Sequence, residues 1–549
     1  MQVTINGRHA FTHLPVKNHI RISLFYIGIR LASTKPGRTE TMLLNAAEVA
    51  KHNTTSSCWI VVHGKVYDVT PYLEQHPGGA AILVRQGGRD ATTEFRKVHS
   101  PDVLENLPKE SFQGELDPAA LASLASAPPT PTTPTSAFSP PSSSLSPSPA
   151  GSGPPHIAHC VTALDFEAVA RGVLSHNALS YVSSSANSGL SLQANLSSWQ
   201  RVSFRPRVLR DVRHIATKCR ILGLDSPFPF YASAMGQLGR SHAGAEAEFV
   251  RGLARRGAHG LISTVSTVPT EEIAAALCDE QQKLAAAAAA AANGKASFPP
   301  AQLHFQLYAH EDRAVTLARI RRAKQAGFRS LWVTVDTPVL GKRTADRRIQ
   351  AADALELGLE RSAEQAGFGW RSHAPAGDFQ PSLSWADLAW IREAWGGAGR
   401  PLVLKGVQCA EDVRLALRHG CAGVVLSNHG GRQAHSAPDA LTTLLEIREY
   451  CPEVLGKLDI LVDGGLRDGA DVLKAICLGA TAVGVGRPFF YALAAYGSRG
   501  IERCIDILSE ELVNGMRLVG IASLDEAQPE RVNASRLLNE MWRPEKSRL

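Results

Sequence analysis

A stretch without charged residues divides this chain. From Pro118 to Leu164 there is no Asp, Glu, Lys or Arg, and residues 128–155 contain ten prolines and eight serines in 28 positions. Such a segment cannot bury enough apolar surface to offset the entropy lost on ordering it. We therefore expect a mobile linker over residues 118–156, whose Pro/Ser-rich part, residues 128–155, could reach roughly 90 Å at about 3.1 Å per residue. The linker predicts two separate domains, a small one over residues 43–117 and a large one over residues 157–543.

The totals of the chain exclude several classes of protein. Its 549 residues, 44% of them apolar, suffice for two globular cores. The net charge of +7 is spread along the chain, which argues against a nucleic-acid partner. No run of 18 apolar residues predicts a membrane span. The nine cysteines form no C-x-x-C pair, so we expect reduced thiols rather than disulfides or a zinc site.

The large domain alternates strand-like and helix-like segments. Six apolar runs predict strands: HGLIST (259–264), SLWVTVD (330–336), PLVLKG (401–406), AGVVLSN (422–428), DILVDGG (459–465) and TAVGVGR (481–487). Helical patterns lie between them, as in residues 410–420 and 468–480. This alternation predicts an α/β fold, a (β/α)8 TIM barrel rather than a doubly wound sheet. The reason is that polar residues follow the strands, where a barrel gathers them at one mouth: Asp336, Lys405, Asn428, His429, Asp463 and Arg487.

Two segments of the large domain lack a clear apolar period. Residues 344–380 contain few apolar residues in phase, so we expect a lid or a disordered loop there. Residues 284–295 are a low-complexity alanine-rich insertion, which we expect to be a surface excursion.

The small domain carries two histidines in an apolar setting. His76 precedes Pro77-Gly78-Gly79, where glycine permits a close backbone approach, and His99 follows 23 residues later. Two imidazoles facing each other across an apolar slot could hold iron from both sides, which leaves no open coordination position and suits electron transfer. The segment CWIVVHGKVYDVTPYLEQHPGG closely resembles the cytochrome b5 domain, an α+β fold. That resemblance implies that His76 and His99 are the axial ligands of haem b.

The most specific motif of the large domain is SNHGGRQ (427–433). Its Arg432 offers a guanidinium fork that grips a carboxylate bidentately. His429 could then take a proton beside that carboxylate. Asp336 could hold the other ring nitrogen of a histidine, and Lys405 could stabilise negative charge on a reduced cofactor. Without these companions, a tight turn with exposed polar residues would explain the motif equally well.

Two glycine-rich turns follow the last two strands. VDGGLRDG (462–469) and GVGRPF (484–489) each contain an arginine, and this position is the usual phosphate site of such barrels. No G-x-G-x-x-G sequence follows an early strand. A mononucleotide such as FMN is therefore favoured over NAD.

These motifs together resemble the FMN-dependent 2-hydroxy acid dehydrogenase family over nearly the whole large domain. The resemblance implies that His429 is the base, Asp336 its partner, Lys405 a catalytic cation beside the flavin, and Tyr308 the contact of the substrate hydroxyl. It assigns the substrate to Tyr181, Arg432, Arg343 and Tyr308. It assigns the cofactor to Ser233, Ala234, Ser263, Gln306, Thr334, Lys405, Asp463, Gly465, Arg467, Gly486 and Arg487, with the last five of these, from Asp463 onward, at the phosphate end.

With the small domain included, the chain resembles the flavocytochrome b2 family. This implies oxidation of a short L-2-hydroxy acid, with electrons passing through the haem to cytochrome c or a similar acceptor, in a homotetramer. The resemblance also implies that Val265 stands where family members carry a residue lining the substrate side-chain pocket, and its modest size then favours lactate over mandelate. Two alternatives remain: an oxidase of the glycolate type that uses oxygen, and a non-enzymatic haem carrier with a degenerate barrel.

The two ends of the chain carry competing addresses. Residues 1–39 contain six basic residues and no acidic one, which is typical of a mitochondrial presequence, although residues 1–42 could also be a disordered segment. Residues 544–549 form a tail ending in Ser547-Arg548-Leu549, a variant of a peroxisomal signal. The family resemblance favours the mitochondrial intermembrane space, with the peroxisome as the alternative.

Overall fold

The computed structural model describes residues 43–118, 154–290, 298–368 and 379–544. The expected leader, nearly all of the expected linker and the last five residues lie outside these ranges, so those expectations stay predictions. Within the described ranges no helix is long and apolar enough to cross a membrane. All nine cysteines lie in the described ranges and are free thiols, which confirms the prediction of reduced cysteines.

The small domain is a five-stranded sheet with short helices. Its sheet order is β1-β5-β4-β3-β2. The strands are β1 (Leu43–Leu44), β2 (Asn53–Thr54), β3 (Ser57–Val62), β4 (Lys65–Asp68) and β5 (Phe112–Leu116), and the helices are α1 (Ala46–Val49), α2 (Ala80–Gln86) and α3 (Thr92–Arg96). Strand β3 presents Ile60 and Val62 to the apolar core below His76 and His99.

The large domain contains a closed barrel of eight parallel strands, which confirms the predicted TIM barrel. The barrel strands are β9 (Phe230–Ala232), β10 (Gly260–Ile262), β11 (Leu303–Leu307), β12 (Leu331–Thr334), β13 (Leu402–Val407), β14 (Gly423–Leu426), β15 (Asp459–Asp463) and β16 (Ala482–Val485). Four short strands lie outside the barrel: β6 (Ser203–Phe204), β7 (Cys219–Ile221), β8 (Leu224–Ser226) and β17 (Val532–Asn533).

Helices surround the barrel and cover its ends. They are α4 (Ala163–Val173), α5 (His176–Ser183), α6 (Leu190–Ser198), α7 (Ala245–Ala254), α8 (Thr270–Ala290), α9 (Arg313–Gln325), α10 (Thr344–Glu356), α11 (Glu360–Phe368), α12 (Leu388–Trp395), α13 (Ala410–Arg418), α14 (Ala440–Tyr450), α15 (Gly469–Cys477), α16 (Arg487–Val519) and α17 (Ser535–Leu538). Helix α16 is interrupted by non-helical backbone at Tyr496 and Gly497.

The barrel interior is a packed core rather than a pore. Successive strands contribute inward-facing buried side chains: Tyr231, Leu261, Trp332, Val403, Val425, Leu461 and Ala482. His304 of β11 fills the corresponding space beside Trp332, with ring centres 5.6 Å apart. Because this core closes the lower part of the barrel, the open mouth at the carboxyl ends of the strands is the part available for chemistry.

All six strands predicted from apolar runs are present. Two further barrel strands, β9 and β11, were not predicted. The alternative of a disordered loop over residues 344–380 is wrong for residues 344–356 and 360–368, which form α10 and α11. The alternative of a lid stays a prediction, and residues 369–378 lie outside the described ranges. Part of the alanine-rich insertion continues α8 as far as Ala290, and residues 291–297 also lie outside them.

The small domain contacts the barrel domain through α10, α11 and nearby loops. Arg85 of α2 pairs with Glu356 at 2.9 Å and with Asp353 at 3.4 Å. The Arg322 guanidinium pairs with Asp102 and, at 2.7 Å, with Glu271. A small apolar cluster lies between the domains: Ala81, Ala354, Ala363 and Leu359.

Candidate active site and haem site

The residue at the centre of the barrel mouth is His429, directly after β14. Its Nδ1 lies 3.0 Å from Oδ1 of Asp336, which follows β12, and its Nε2 lies 3.3 Å from the hydroxyl of Tyr308, which follows β11. His429 has φ of 61°, and Gly430 and Gly431 also have positive φ. A non-glycine residue in this conformation is strained, and such strain concentrates at functional sites. The ends of β11, β12 and β14 thus bring the predicted base and its partners together.

Electrostatics make His429 a neutral base beside an anion. Burial lowers the pKa of the His429 imidazole, the Asp336 carboxylate raises it, and the charges of Lys405 and Arg343 lower it further. Burial raises the pKa of Asp336, but His429 and Lys405 outweigh burial and the net pKa is lowered. At neutral pH the pair is therefore imidazole and carboxylate. Nδ1–H donates to Asp336, so Nε2 carries no proton; it accepts a hydrogen bond from the Tyr308 hydroxyl and can take a proton from a substrate.

Cationic side chains lie beside this base. Nη1 of Arg432 donates to the carbonyl oxygens of Tyr181 and Ser184 at 2.7 and 2.9 Å, and its guanidinium carbon lies 5.2 Å from the Tyr181 ring centre. Burial first, then the charge of Arg343, lowers the pKa of Arg432. Nε of Arg343 is buried without a hydrogen-bond partner in the described ranges. Two crowded guanidinium groups favour an anionic ligand such as a carboxylate.

Lys405 and Asp463 form a buried pair at the ends of β13 and β15. The two groups are 3.4 Å apart, and Lys405 Nζ also lies 3.2 Å from Ser427 Oγ. The sequence grouped Asp463 with the phosphate end, whereas the structure places it beside the cation expected near the flavin ring. Oδ1 of Asp463 has no hydrogen-bond partner among the described residues. This oxygen is therefore free to accept a hydrogen bond from a bound group.

Three of the expected flavin contacts lie on adjacent strands and form one network. Oε1 of Gln306 accepts from Ser263 Oγ at 3.1 Å, and Nε2 of Gln306 donates to Thr334 Oγ1 at 2.9 Å. Ser233, followed by Ala234 at the end of β9, has a buried Oγ without a partner in the described part of the chain. These polar groups line one side of the mouth, which fits a planar ring with several hydrogen-bonding atoms.

The phosphate end also fits its predicted group. Helix α16 begins at Arg487, and its N-cap residue, Gly486, provides no side-chain hydrogen bond to the first turn. A Cβ atom at Gly486 would have a single neighbour within 4 Å, Ser233 Cβ at 4.0 Å, so the turn is open. Burial first, and then the charge of Arg467, lowers the pKa of Arg487, so the two guanidinium groups lie near each other at this turn. Backbone N–H groups, glycine and two cations suit a phosphate.

Backbone carbonyl oxygens hold the Arg487 guanidinium in place. Its three nitrogens donate to the carbonyl oxygens of Val182, Gly430 and Ser184 at 2.9–3.1 Å.

The other glycine-rich turn packs tightly against α6. Gly465 approaches Asn195 so closely that a Cβ atom would lie 2.0 Å from the Asn195 carbonyl oxygen. Any side chain at residue 465 would therefore displace α6 from the turn.

The two histidines of the small domain face each other. The centres of the His76 and His99 rings are 6.0 Å apart. Two imidazoles bound to opposite sides of one metal ion, each at about 2 Å, have ring centres about 6 Å apart. Nδ1 of His76 lies 3.3 Å from the Gly79 carbonyl oxygen, so Nδ1–H donates there and Nε2 is left for the metal. The spacing therefore fits bis-histidine haem ligation.

Burial keeps both imidazoles neutral, as metal ligands must be. It lowers the pKa of His76 to about 4 and, together with the charges of His76 and Arg240, that of His99 to about 3. The slot around them is lined by apolar side chains: Leu73, Leu83, Val84, Phe95, Leu104 and Leu107. Among the described residues no cluster of three or more His, Cys, Asp or Glu side chains could hold a metal ion.

The sequence analysis assigned no positioning role to three residues around His429: Asn195, Asn428, which it had placed at the barrel mouth, and Gln433. The side-chain amides of Asn195 and Asn428 exchange two hydrogen bonds of 2.7 and 2.8 Å, and Oδ1 of Asn428 also accepts from Gly431 N–H. Gln433 donates to the carbonyl oxygens of Asp336 and Val339. Asn428 and Gln433 lie within the quoted motif, which was a usable signal. Asn195 carried none, because its partner is 233 residues away.

Comparisons with known proteins agree with this geometry. The family model of the FMN-dependent dehydrogenases matches residues 170–534, and that of the cytochrome b5-like haem/steroid-binding domain matches residues 45–117. The chain is 34% identical over 500 residues to an L-lactate dehydrogenase (cytochrome) of Wickerhamomyces anomalus, covering 89% of this chain and 80% of that protein.

Two further comparisons concern the barrel. A glycolate oxidase of Spinacia oleracea is 32% identical over 380 residues, which cover 67% of this chain and 95% of the oxidase. The solved flavin-binding domain of baker's yeast flavocytochrome b2 superposes with a TM-score of 0.59 at 32% identity, covering 72% of this chain and 91% of that one.

The cofactors follow from the two family models together with the fit of the residues present. The barrel domain binds FMN and the small domain binds haem b. With both domains matched and the catalytic geometry in place, the chain belongs to the FMN-dependent dehydrogenase family, as a 2-hydroxy acid dehydrogenase with an N-terminal cytochrome b5-like haem domain.

Proposed function

We propose that this enzyme oxidises L-lactate to pyruvate and passes the electrons through its haem to cytochrome c or a similar acceptor. The observation that carries the proposal is the placement of His429 between Asp336 and Tyr308, in a chain that also holds the His76 and His99 pair. A relative named L-lactate dehydrogenase (cytochrome) supports the choice of substrate.

The substrate carboxylate binds to Arg432, with Arg343 and the Tyr181 hydroxyl beside it. Tyr308 meets the substrate hydroxyl, and Nε2 of His429 accepts the proton, from carbon or from the hydroxyl. The imidazolium that forms is stabilised by Asp336 through Nδ1–H. FMN, when bound, supplies the acceptor for the two electrons, beside the Lys405 ammonium group that favours negative charge.

Val265 and Gly236 bound the space for the substrate side chain. A Cβ atom at Gly236 would lie 2.6 Å from Val265 Cγ2 and 3.4 Å from the Tyr181 hydroxyl. The Tyr181 hydroxyl donates to the Gly236 carbonyl oxygen at 3.2 Å, which fixes this wall. A short side chain such as the methyl group of lactate suits the space left between these residues.

The test is an anaerobic visible spectrum of the holoenzyme before and after addition of L-lactate. Bleaching of the flavin followed by growth of a reduced haem band is the expected result. Flavin bleaching with an oxidised haem would contradict the relay and favour the oxygen-dependent glycolate-type oxidase, which the similarity to the spinach enzyme makes the second candidate. A glycolate control distinguishes the two substrates.

The acceptor, the assembly and the compartment belong to the same proposal. We infer a homotetramer and a location in the mitochondrial intermembrane space, supported by family resemblance and by the basic, acid-free residues 1–39. Light scattering of the purified protein tests the tetramer. Fluorescent fusions that mask one end at a time test the location, since the peroxisomal alternative depends on Ser547-Arg548-Leu549.

A further inference from the structure

Arg240 is a partly buried cation at the edge of the barrel mouth that the catalytic scheme does not use. It lies in the loop between β9 and α7, and its Nε donates to Gln237 Oε1 at 2.7 Å. Its guanidinium carbon lies 5.1 Å from the centre of the Tyr181 ring. Burial is the main cause that lowers the pKa of this guanidinium. A desolvated cation is costly unless an anion accompanies it.

The structure supplies no such anion by direct pairing. Within residues 43–118, 154–290, 298–368 and 379–544, Arg240 forms no ion pair with a carboxylate. The charge of Asp346 acts on it from a distance. The Asp346 carboxylate itself accepts from Ser180 Oγ at 3.0 Å and Ser184 Oγ at 3.3 Å. The Nη atoms of Arg240 therefore have no carboxylate partner among the described residues and are available to the anion of a bound group.

Arg240 lies between Tyr181 and the small domain that carries His76 and His99. The adjacent Gly239 packs against the small domain, where a Cβ atom would lie 2.5 Å from the carbonyl oxygen of Lys97, two residues before His99. The charge of Arg240 also acts on both His76 and His99. By contrast, the charged groups that act on His429 are Asp336, Lys405 and Arg343.

Haem b has exactly two anionic groups, its propionate carboxylates, and the guanidinium fork matches a carboxylate. We propose that Arg240 binds a haem propionate, so that a single side chain links the haem to Tyr181 at the substrate site. This inference rests on the proposed ligation of haem by His76 and His99. It does not depend on which 2-hydroxy acid is oxidised or which acceptor is used.

The first test is the midpoint potential of the haem in the full-length holoenzyme, measured by spectroelectrochemical titration. Arg240→Met should lower the potential, because an uncompensated propionate stabilises the ferric state. Arg240→Lys keeps the charge without the fork and should retain most of the wild-type value. Arg85→Met removes another cation of the domain interface and should leave the potential unchanged. An unchanged potential in Arg240→Met would overturn the proposal.

Stopped-flow measurements separate the two electron-transfer steps. In Arg240→Met, haem reduction after flavin reduction should slow by about tenfold, the effect expected for one lost charge-assisted hydrogen bond. Reduction of the flavin by the substrate should stay at the wild-type rate. A raised KM for the 2-hydroxy acid with an unchanged haem potential would assign Arg240 to the substrate instead, and would overturn the proposal.

Chemical modification of the haem gives the matched control. Full-length protein produced without haem is loaded either with haem b or with its dimethyl ester, which lacks both propionate charges. The effect of Arg240→Met on the potential should be present with haem b and absent with the ester. An equal effect with both would exclude propionate binding. A wild-type spectrum without bis-histidine ligation would overturn the ligand assignment, and this inference with it.

Discussion

The haem slot and the barrel mouth both use buried imidazoles, but they surround them differently. In the slot, burial lowers the pKa of His76 to about 4 and that of His99 to about 3, with only a carbonyl oxygen near His76 Nδ1. In the mouth, burial also lowers the pKa of His429, but the Asp336 carboxylate opposes it. The first environment keeps a ring neutral for a metal, whereas the second lets a ring gain and lose a proton.

A second pair of histidines shows that burial alone does not create a site. His259 and His304 lie in the barrel floor with their nitrogens 3.1 Å apart. His304 also lies 2.6 Å from Ser330 Oγ, and His259 lies 3.0 Å from the Asp225 carbonyl oxygen. All four ring nitrogens have protein partners, so these imidazoles serve packing. The haem slot, the barrel mouth and the barrel floor therefore differ in the hydrogen-bond partner of each imidazole nitrogen.

The largest effect is expected from the haem slot. His99→Ala removes one axial ligand, so substrate-driven reduction of a low-spin haem should be lost completely while flavin bleaching continues. Anaerobic stopped-flow spectra at flavin and haem wavelengths measure both. His63→Ala, in the same domain and in edge contact with Phe95, is the control and should retain haem reduction. Loss of flavin bleaching in His99→Ala would show that flavin reduction depends on the haem site.

The next effect concerns the base of the barrel mouth. His429→Gln should slow flavin reduction by the 2-hydroxy acid by about 10²–10⁴-fold, because general base catalysis is lost. The haem spectrum should not change. His419→Gln, which replaces a ring stacked on Trp385 away from the mouth, is the control and should retain activity. Wild-type flavin reduction in His429→Gln would exclude His429 as the base.

The comparison is sharpened by the pH dependence of kcat/KM. The proposed base, His429, acts only when neutral, and burial holds its pKa below the ordinary value of a histidine. We therefore expect kcat/KM to be highest at neutral and higher pH and to fall as the pH drops through that lowered pKa. Asp336→Asn removes the anion that raises the His429 pKa. The acid limb should therefore move to lower pH, and the plateau should fall. A limb that moves to higher pH would contradict the assigned pairing.

The smallest effect is expected at the surface between the two regions. Arg85 is 37% exposed, and its pairs with Asp353 and Glu356 are in contact with solvent. Arg85→Ala should lower the free energy of unfolding by less than about 1 kcal/mol, as exposed ion pairs usually do. Chemical denaturation of the holoenzyme measures it. A loss of several kcal/mol would mean that this contact is stronger than its exposure indicates.

The barrel and the base could be predicted from sequence because the signals are local. Each predicted strand is built around an apolar run, and Asp336, Lys405 and His429 lie at or directly after the carboxyl ends of three of them. Strands β9 and β11 were missed, and length is not the reason, because β10 was predicted and is as short as β9. The site that results from these strand ends is close to the one expected, apart from the placement of Asp463 beside Lys405.

Residues that depend on contacts between distant segments could not be predicted. Helices α10 and α11 showed no apolar stripe because the side chains Ala354 and Ala363, which face the small domain, are small. Arg240 lies outside every motif, and its position matters only because Gly239 meets Lys97 of the other domain. Such contacts leave no periodic signal in a single sequence.

Helix α10 connects the two regions end to end. It starts beside Arg343, and Asp346 in its first turn bonds to Ser180 of α5, which also carries Tyr181. Further along, Gln350 donates to the Pro77 carbonyl oxygen, next to His76. Thirteen residues make a rod of about 20 Å. If bound substrate raises the docking constant of the two domains through this helix, docking must raise the binding constant of the substrate. Thermodynamic linkage requires the two factors to be equal.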